Sequence, residues 1–303
     1  IMNYINQAYK GKNSIWMFVL TSILVSGIFI LNFITYLFTS DEDMEKAYDL
    51  MKSIPANLSL IINLLPFVFL LGLLFLLVKK LHERSILSLS TSRSKMDWSR
   101  SFFSFSLIVG ISLFTFGISA YLDPSAIELQ FDLVKFSTLF IISILLFPFQ
   151  IALEEFLFRG YLMQQIGVIV KNKWFPLILT SVIFGVFHSA NPEVAEMGLI
   201  TMVFYIGTGL LLGIMTLMDD GLELALGFHL GNNLLAALLI TSDWSALQTD
   251  AVFRYTSAEA NITNLEIIIP VVLIYPLLLF ILTKKYKWTD WKNRLLGPVT
   301  KDA

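Results

Sequence analysis

Eight apolar runs, most of them about 20 residues long and so able to cross roughly 30 Å of hydrocarbon as a helix, dominate this chain. They fall at 15–38, 58–78, 102–121, 136–158, 175–189, 197–217, 222–240 and 267–283. The first run is too long for a cleaved signal peptide and lacks a small-residue cleavage site, so it reads as a retained helix. The expectation is a single all-α unit over 1–303, a polytopic membrane bundle of about eight transmembrane helices. Composition agrees: 56% of the 303 residues are hydrophobic and 15% charged, too apolar a balance for a soluble domain.

Lys and Arg predict the orientation, because loops that stay in the cytoplasm keep an excess of them. The N-terminal segment, the 79–100 loop, the 159–174 region and the tail from Lys284 hold 17 of the 21 basic residues, leaving Lys46, Lys52, Lys135 and Arg254 for the other side. Both termini are therefore expected in the cytoplasm, in a multi-pass protein of a bacterial inner membrane. The acidic run Asp41–Asp49 on the opposite side reads as a solvated surface helix. The chain has no Cys, which excludes disulfides, a thiolate nucleophile and Cys-ligated metal. A net charge of -2 without a basic tract gives no footprint for nucleic acid.

Against this background the stretch EEFLFRG, Glu154–Gly160, is costly. A lone charge at the bilayer centre costs about 3 kcal/mol on insertion scales, so ionisable residues there face a protein interior and mark function by default. Glu155 and Arg159 stand four apart on one helix face and can neutralise each other. Glu154 points about 100° round the helix without that partner, which suits a general base. An interfacial ion-pair cluster is the plainer alternative. Of the three histidines, His82 lies in the basic 79–100 loop and needs no special environment. His188 closes FGVFH and His229 opens HLGNN, with Asn233 one turn later. Two imidazoles and a carboxylate can hold a metal such as zinc or polarise a water directly, and Asn233 offers an amide donor for an oxyanion.

The ordered motifs EExxxR (Glu154, Glu155, Arg159), FxxxH (Phe184, His188) and HxxxN (His229, Asn233), spread over successive helices, resemble the CPBP intramembrane proteases. That family includes the CaaX prenyl endopeptidases and the bacteriocin-processing and self-immunity proteins of the Abi group. The resemblance covers about Pro148–Leu239, within a catalytic core of about 134–240. It implies an endopeptidase that hydrolyses a membrane-associated peptide or protein. Glu154 would activate the water, Glu155 and Arg159 would support and orient it, and His188 would position it. His229 and Asn233 would stabilise the tetrahedral oxyanion, with Phe184 packed beside His188. The resemblance leaves two mechanisms open: a metalloprotease, with Glu154, His188 and His229 as a zinc set, or a glutamate-activated water without metal. HExxH is absent.

These motifs meet only if the fourth helix continues past Arg159, since otherwise His188 lies roughly 20 Å deeper than Glu154 at 1.5 Å per residue. The site is then expected in a cavity open toward the cytoplasm. GLLLG (Gly209–Gly213) and GFHLG (Gly227–Gly231) read as close-packing patterns. Two other classes compete with the protease. A non-catalytic scaffold or regulator would tolerate loss of Glu154, and an ion-coupled transporter would use the same buried groups as a relay.

Overall fold

The computed structural model of the chain describes residues 3–256 and 264–301. Long helices account for most of it: α1 Ile15–Phe38, α2 Asp41–Lys52, α3 Ala56–Lys80, α4 Trp98–Leu122 and α5 Leu133–Val170. They are followed by α6 Trp174–Val186, α7 Pro192–Met197, α8 Thr201–Asp219, α9 Glu223–Leu239, α10 Ile267–Tyr286 and α11 Trp291–Leu296. Each predicted run coincides for most of its length with one of these helices. Among the described residues, six are long and apolar enough to cross a membrane: α1, α3, α4, α5, α8 and α10. The runs expected as the fifth and seventh spans form α6, of 13 residues, and α9, of 17. Both are shorter than the roughly 20 residues that a full crossing needs.

The structure bears out the continuous fourth span. α5 runs unbroken for 38 residues, passing through a π-helical segment at Phe156–Leu162. Such wide turns are frequent at functional sites, and this one carries Arg159. The glycine patterns pack as expected. A Cβ on Gly209 would meet the Ser181 carbonyl oxygen at 2.9 Å, and one on Gly231 would meet that of Phe105 at 3.0 Å. Gly227 lies tighter still, against the Ser101 carbonyl. Absent side chains thus let α8 approach α6, and α9 approach α4, to backbone distance.

Both termini lie at one end of the bundle. The Asn6 side-chain amide donates to the Thr300 carbonyl at 2.7 Å, and the 3-10 helix Ile5–Lys10 packs on the last turns of α5. The other end carries a small sheet in the order β1-β3-β2, with β1 (Ile127–Leu129) antiparallel and β2 (Ile240–Thr241) parallel to β3 (Phe253–Tyr255). The acidic run forms α2 at that end, largely exposed as expected, with its N-terminus capped by Ser40.

His82 departs from expectation. It is fully buried and joins three segments. Its Nδ1–H donates to the Lys12 carbonyl at 2.8 Å, and its Nε2 lies 3.0 Å from the Tyr161 hydroxyl and 3.2 Å from that of Thr21. The basic loop folds back beneath the bundle, so a position that looks like solvent in the sequence is interior.

Candidate active site

α5 brings its two glutamates into the bundle one turn before Arg159, and all three side chains are buried. Arg159 Nη1 donates to Glu155 Oε1 at 3.0 Å and Nη2 to the Gly209 carbonyl at 3.2 Å. The guanidinium lies over the Phe184 ring, 4.3 Å from its centroid. An arginine with no route to water is thereby held by one carboxylate, one carbonyl of α8 and one aromatic face of α6.

His229, on α9, completes the cluster. Its Nδ1–H donates to Glu155 Oε1 at 2.7 Å, which fixes the ring and turns Nε2 toward Glu154. That nitrogen stands 3.6 Å from Glu154 Oε2, beyond a direct hydrogen bond but within the span that a bridging water covers. Glu154 Oε1 accepts from the Gln150 side-chain amide at 3.2 Å. Its buried Oε2 has no hydrogen-bond partner among the described residues. In each glutamate Oε2 is buried without a hydrogen-bond partner among the described residues; they differ at Oε1, which takes two charged or ring donors, Arg159 and His229, at Glu155 and only the Gln150 amide at Glu154.

His188 sits just past the far end of α6. Its Nδ1–H donates to the Phe184 carbonyl at 2.7 Å, and its ring stacks on Tyr205 with centroids 4.5 Å apart. Phe184 is the shared neighbour, with its ring 4.6 Å from His188 and 5.9 Å from His229. Asn233, one turn beyond His229, accepts at Oδ1 from the Asn232 amide at 3.1 Å, which leaves its own amide hydrogens to donate elsewhere.

The three motifs thus converge from α5, α6 and α9. Sequence reasoning missed Gln150, Tyr205, whose hydroxyl accepts from the Asn191 amide at 3.1 Å, and the Gly209 carbonyl. Gln150 had a signal, as a polar residue one turn before Glu154 in an apolar run. Tyr205 and Gly209 act from another helix and had none. In the supporting pair, Arg159 holds Glu155 and Glu155 holds His229, and among the described residues neither side chain makes a hydrogen bond to that of Glu154.

The expected direction of the opening does not agree with the positions of the termini. Toward the termini the bundle is filled by Leu157, Tyr161, Met163, Leu217 and Leu222, none more than 4% exposed. His188, Tyr205 and Asn233 are half-buried and form the side away from the termini. There the Ala190 carbonyl accepts from the Tyr48 hydroxyl of α2 at 3.1 Å. The donor set also does not fit a metal in this arrangement: among the described residues, no group of three or more His, Cys, Asp or Glu side chains is disposed to hold one. His229 donates from Nδ1 to Glu155 and His188 from Nδ1 to a carbonyl, which leaves Nε2 as the open nitrogen of each ring, but Glu154, His188 and His229 are not gathered into such a set here.

Residues 136–235 match the family model described as type II CAAX prenyl endopeptidase Rce1-like. The uncharacterized protein YyaK of Bacillus subtilis (strain 168) is 28% identical over 251 residues, covering 79% of this chain and 83% of that relative. No solved structure matches. The part of the chain on which the three motifs lie is thus similar to the Rce1-like type II CAAX prenyl endopeptidases, and the resemblance to the intramembrane CPBP proteases is borne out.

Proposed function

We propose that the protein is an intramembrane endopeptidase in which Glu154 activates the attacking water. The observation that carries this reading is the 2.7 Å contact between His229 and Glu155. It holds the histidine of HxxxN beside the glutamate pair and leaves Glu154 Oε2 facing His229 Nε2. A water held there gives its proton to Glu154 as its oxygen bonds to the peptide carbonyl carbon. His188, with Nδ1 committed as a donor, offers the lone pair of Nε2 to a water hydrogen and so orients the water. Charge that develops on the carbonyl oxygen is met by the Asn233 amide together with His229, which Glu155 orients. Collapse re-forms the carbonyl and breaks the C–N bond as Glu154 returns the proton to the leaving nitrogen. Preorganised donors count for more in this water-poor interior than in bulk.

The substrate in this reading is a membrane-associated peptide or protein, delivered to the half-buried side formed by His188, Tyr205 and Asn233. The test is mass-spectrometric detection of cleavage in a peptide library by the protein in lipid nanodiscs, with Glu154→Gln as the comparison. Wild-type products that fall by about 10²–10⁴-fold in the variant support Glu154 as the base. Equal product profiles refute it, and absence of product from both proteins favours a non-catalytic scaffold. Turnover is expected to survive a strong zinc chelator; a loss restored by added zinc would overturn the metal-free mechanism.

A further inference from the structure

A cavity of about 580 Å³ opens at the end of the bundle that carries the termini, on the far side of the packed core from the glutamates. Its walls carry five cations, Arg93, Arg100, Lys173, Lys287 and Arg294, against three carboxylates, Asp219, Asp220 and Asp290. Most of these charges are already paired. Asp219 accepts from Arg93 at 3.1 Å, from the Trp288 indole at 3.2 Å and from Arg100. Asp220 accepts from Arg294 at 2.7 Å and from the Tyr4 backbone N–H at 3.0 Å.

Lys173 remains. Its side chain is buried, with 6% of the residue exposed, yet among the described residues no carboxylate lies within ion-pair reach of it. Its ammonium donates to the Asn293 carbonyl at 3.1 Å, which uses one of three N–H donors. A buried cation left in this state points to an anion from outside the chain. Lys287, exposed on the rim, also lacks an ion-pair partner among the described residues.

The surroundings indicate which anion. Tyr286 and Trp288 line the cavity at the end of α10 and just past it, where aromatic side chains mark the headgroup level of a membrane. Arg100 covers the Tyr286 ring at 4.3 Å. The adjacent flank is apolar and outward-facing, with Trp98 66%, Phe102 73% and Phe280 58% exposed, as acyl chains require. Basic pockets between membrane helices are the usual seats for anionic headgroups.

We propose that this cavity binds a phosphate-bearing anion through Lys173 and Lys287, with the headgroup of an anionic phospholipid as the source that its position favours. The site is separate from the glutamate centre, so the test reads binding and not cleavage. Full-length protein in a neutral detergent is loaded with phosphatidylglycerol or phosphatidylcholine, and retained lipid is counted by native mass spectrometry. Thermal shift with inorganic phosphate forms a second arm.

The expected result is selective retention of phosphatidylglycerol, weakened about tenfold by Lys173→Gln and unchanged by Lys46→Gln at the opposite end. If burial makes Lys173→Gln fail to fold, the exposed Lys287→Gln gives the same reading. Stabilisation by inorganic phosphate without lipid preference would assign the site to a free anion. Equal retention of both lipids with no effect of phosphate, or binding unchanged in the lysine variants, overturns the proposal.

Discussion

Replacing Glu154 by Gln keeps the side-chain volume and the oxygen gripped by Gln150, and removes only the capacity to take a proton. The same change at Glu155 acts on stability, because it leaves Arg159, fully buried, without its counter-charge. Breaking a buried ion pair from one side costs about 3–5 kcal/mol. Thermal denaturation in one detergent is therefore expected to place Glu154→Gln close to wild type and Glu155→Gln many degrees below it. Similar melting of the two variants would contradict this division of labour. The i,i+4 spacing made the Glu155–Arg159 pair legible in the sequence, and turn spacing linked His229 to Asn233. Which glutamate holds His229 was not legible, since adjacent residues on α5 are distinguished only by how the whole helix is rotated against α9. Nor was Tyr205, whose stack on His188 depends on the packing of α6 against α8.

At the level of elements, the histidine of HxxxN is placed by an approach of two backbones. Gly227 rests on the Ser101 carbonyl and Gly231 on that of Phe105, so α9 cannot carry a methyl group at either position without moving. Gly227→Ala is expected to cost about 1–3 kcal/mol, as overpacking does, and to lower activity further by displacing His229 from Glu155. Gly110→Ala on α4 is the control, since a Cβ there meets nothing within 4 Å, and it should leave both melting temperature and turnover unchanged. The GxxxG spacing announced this contact, but the partner helix did not appear in the pattern. The π segment of α5 also left no mark in the sequence. FLFRGYL reads as ordinary apolar helix, and its wider turn reflects the surroundings of buried Arg159 more than any local propensity.

For the whole molecule, apolar runs revealed the helices and their order, while the number of full crossings depends on lengths that hydropathy blurs. α6 and α9 are helical where expected but too short to stand alone in a bilayer, so they rely on longer neighbours. His82 shows the same limit, because a loop charge pattern does not reveal that the loop folds inward. Burial is the main cause that lowers the pKa of His82, with Arg84 adding to it and the Lys12 carbonyl opposing it. The neutral ring is the native form, so its contribution to stability is present above the unfolded value of about 6.5 and is lost as pH falls through the lower folded value. Melting temperature should therefore drop between pH 7.5 and pH 5 in wild type, and less steeply in His82→Gln; parallel slopes would remove His82 from the acid response.

The tie between Asn6 and Thr300 has a consequence in time as well as in space. Asn6 is completed by a carbonyl 294 residues later, so during synthesis the 3-10 helix Ile5–Lys10 waits, with that side-chain amide lacking its partner, while the described membrane helices are laid down. That contact, and with it the complete seat of the 3-10 helix on α5, can form only after Thr300 has left the ribosome.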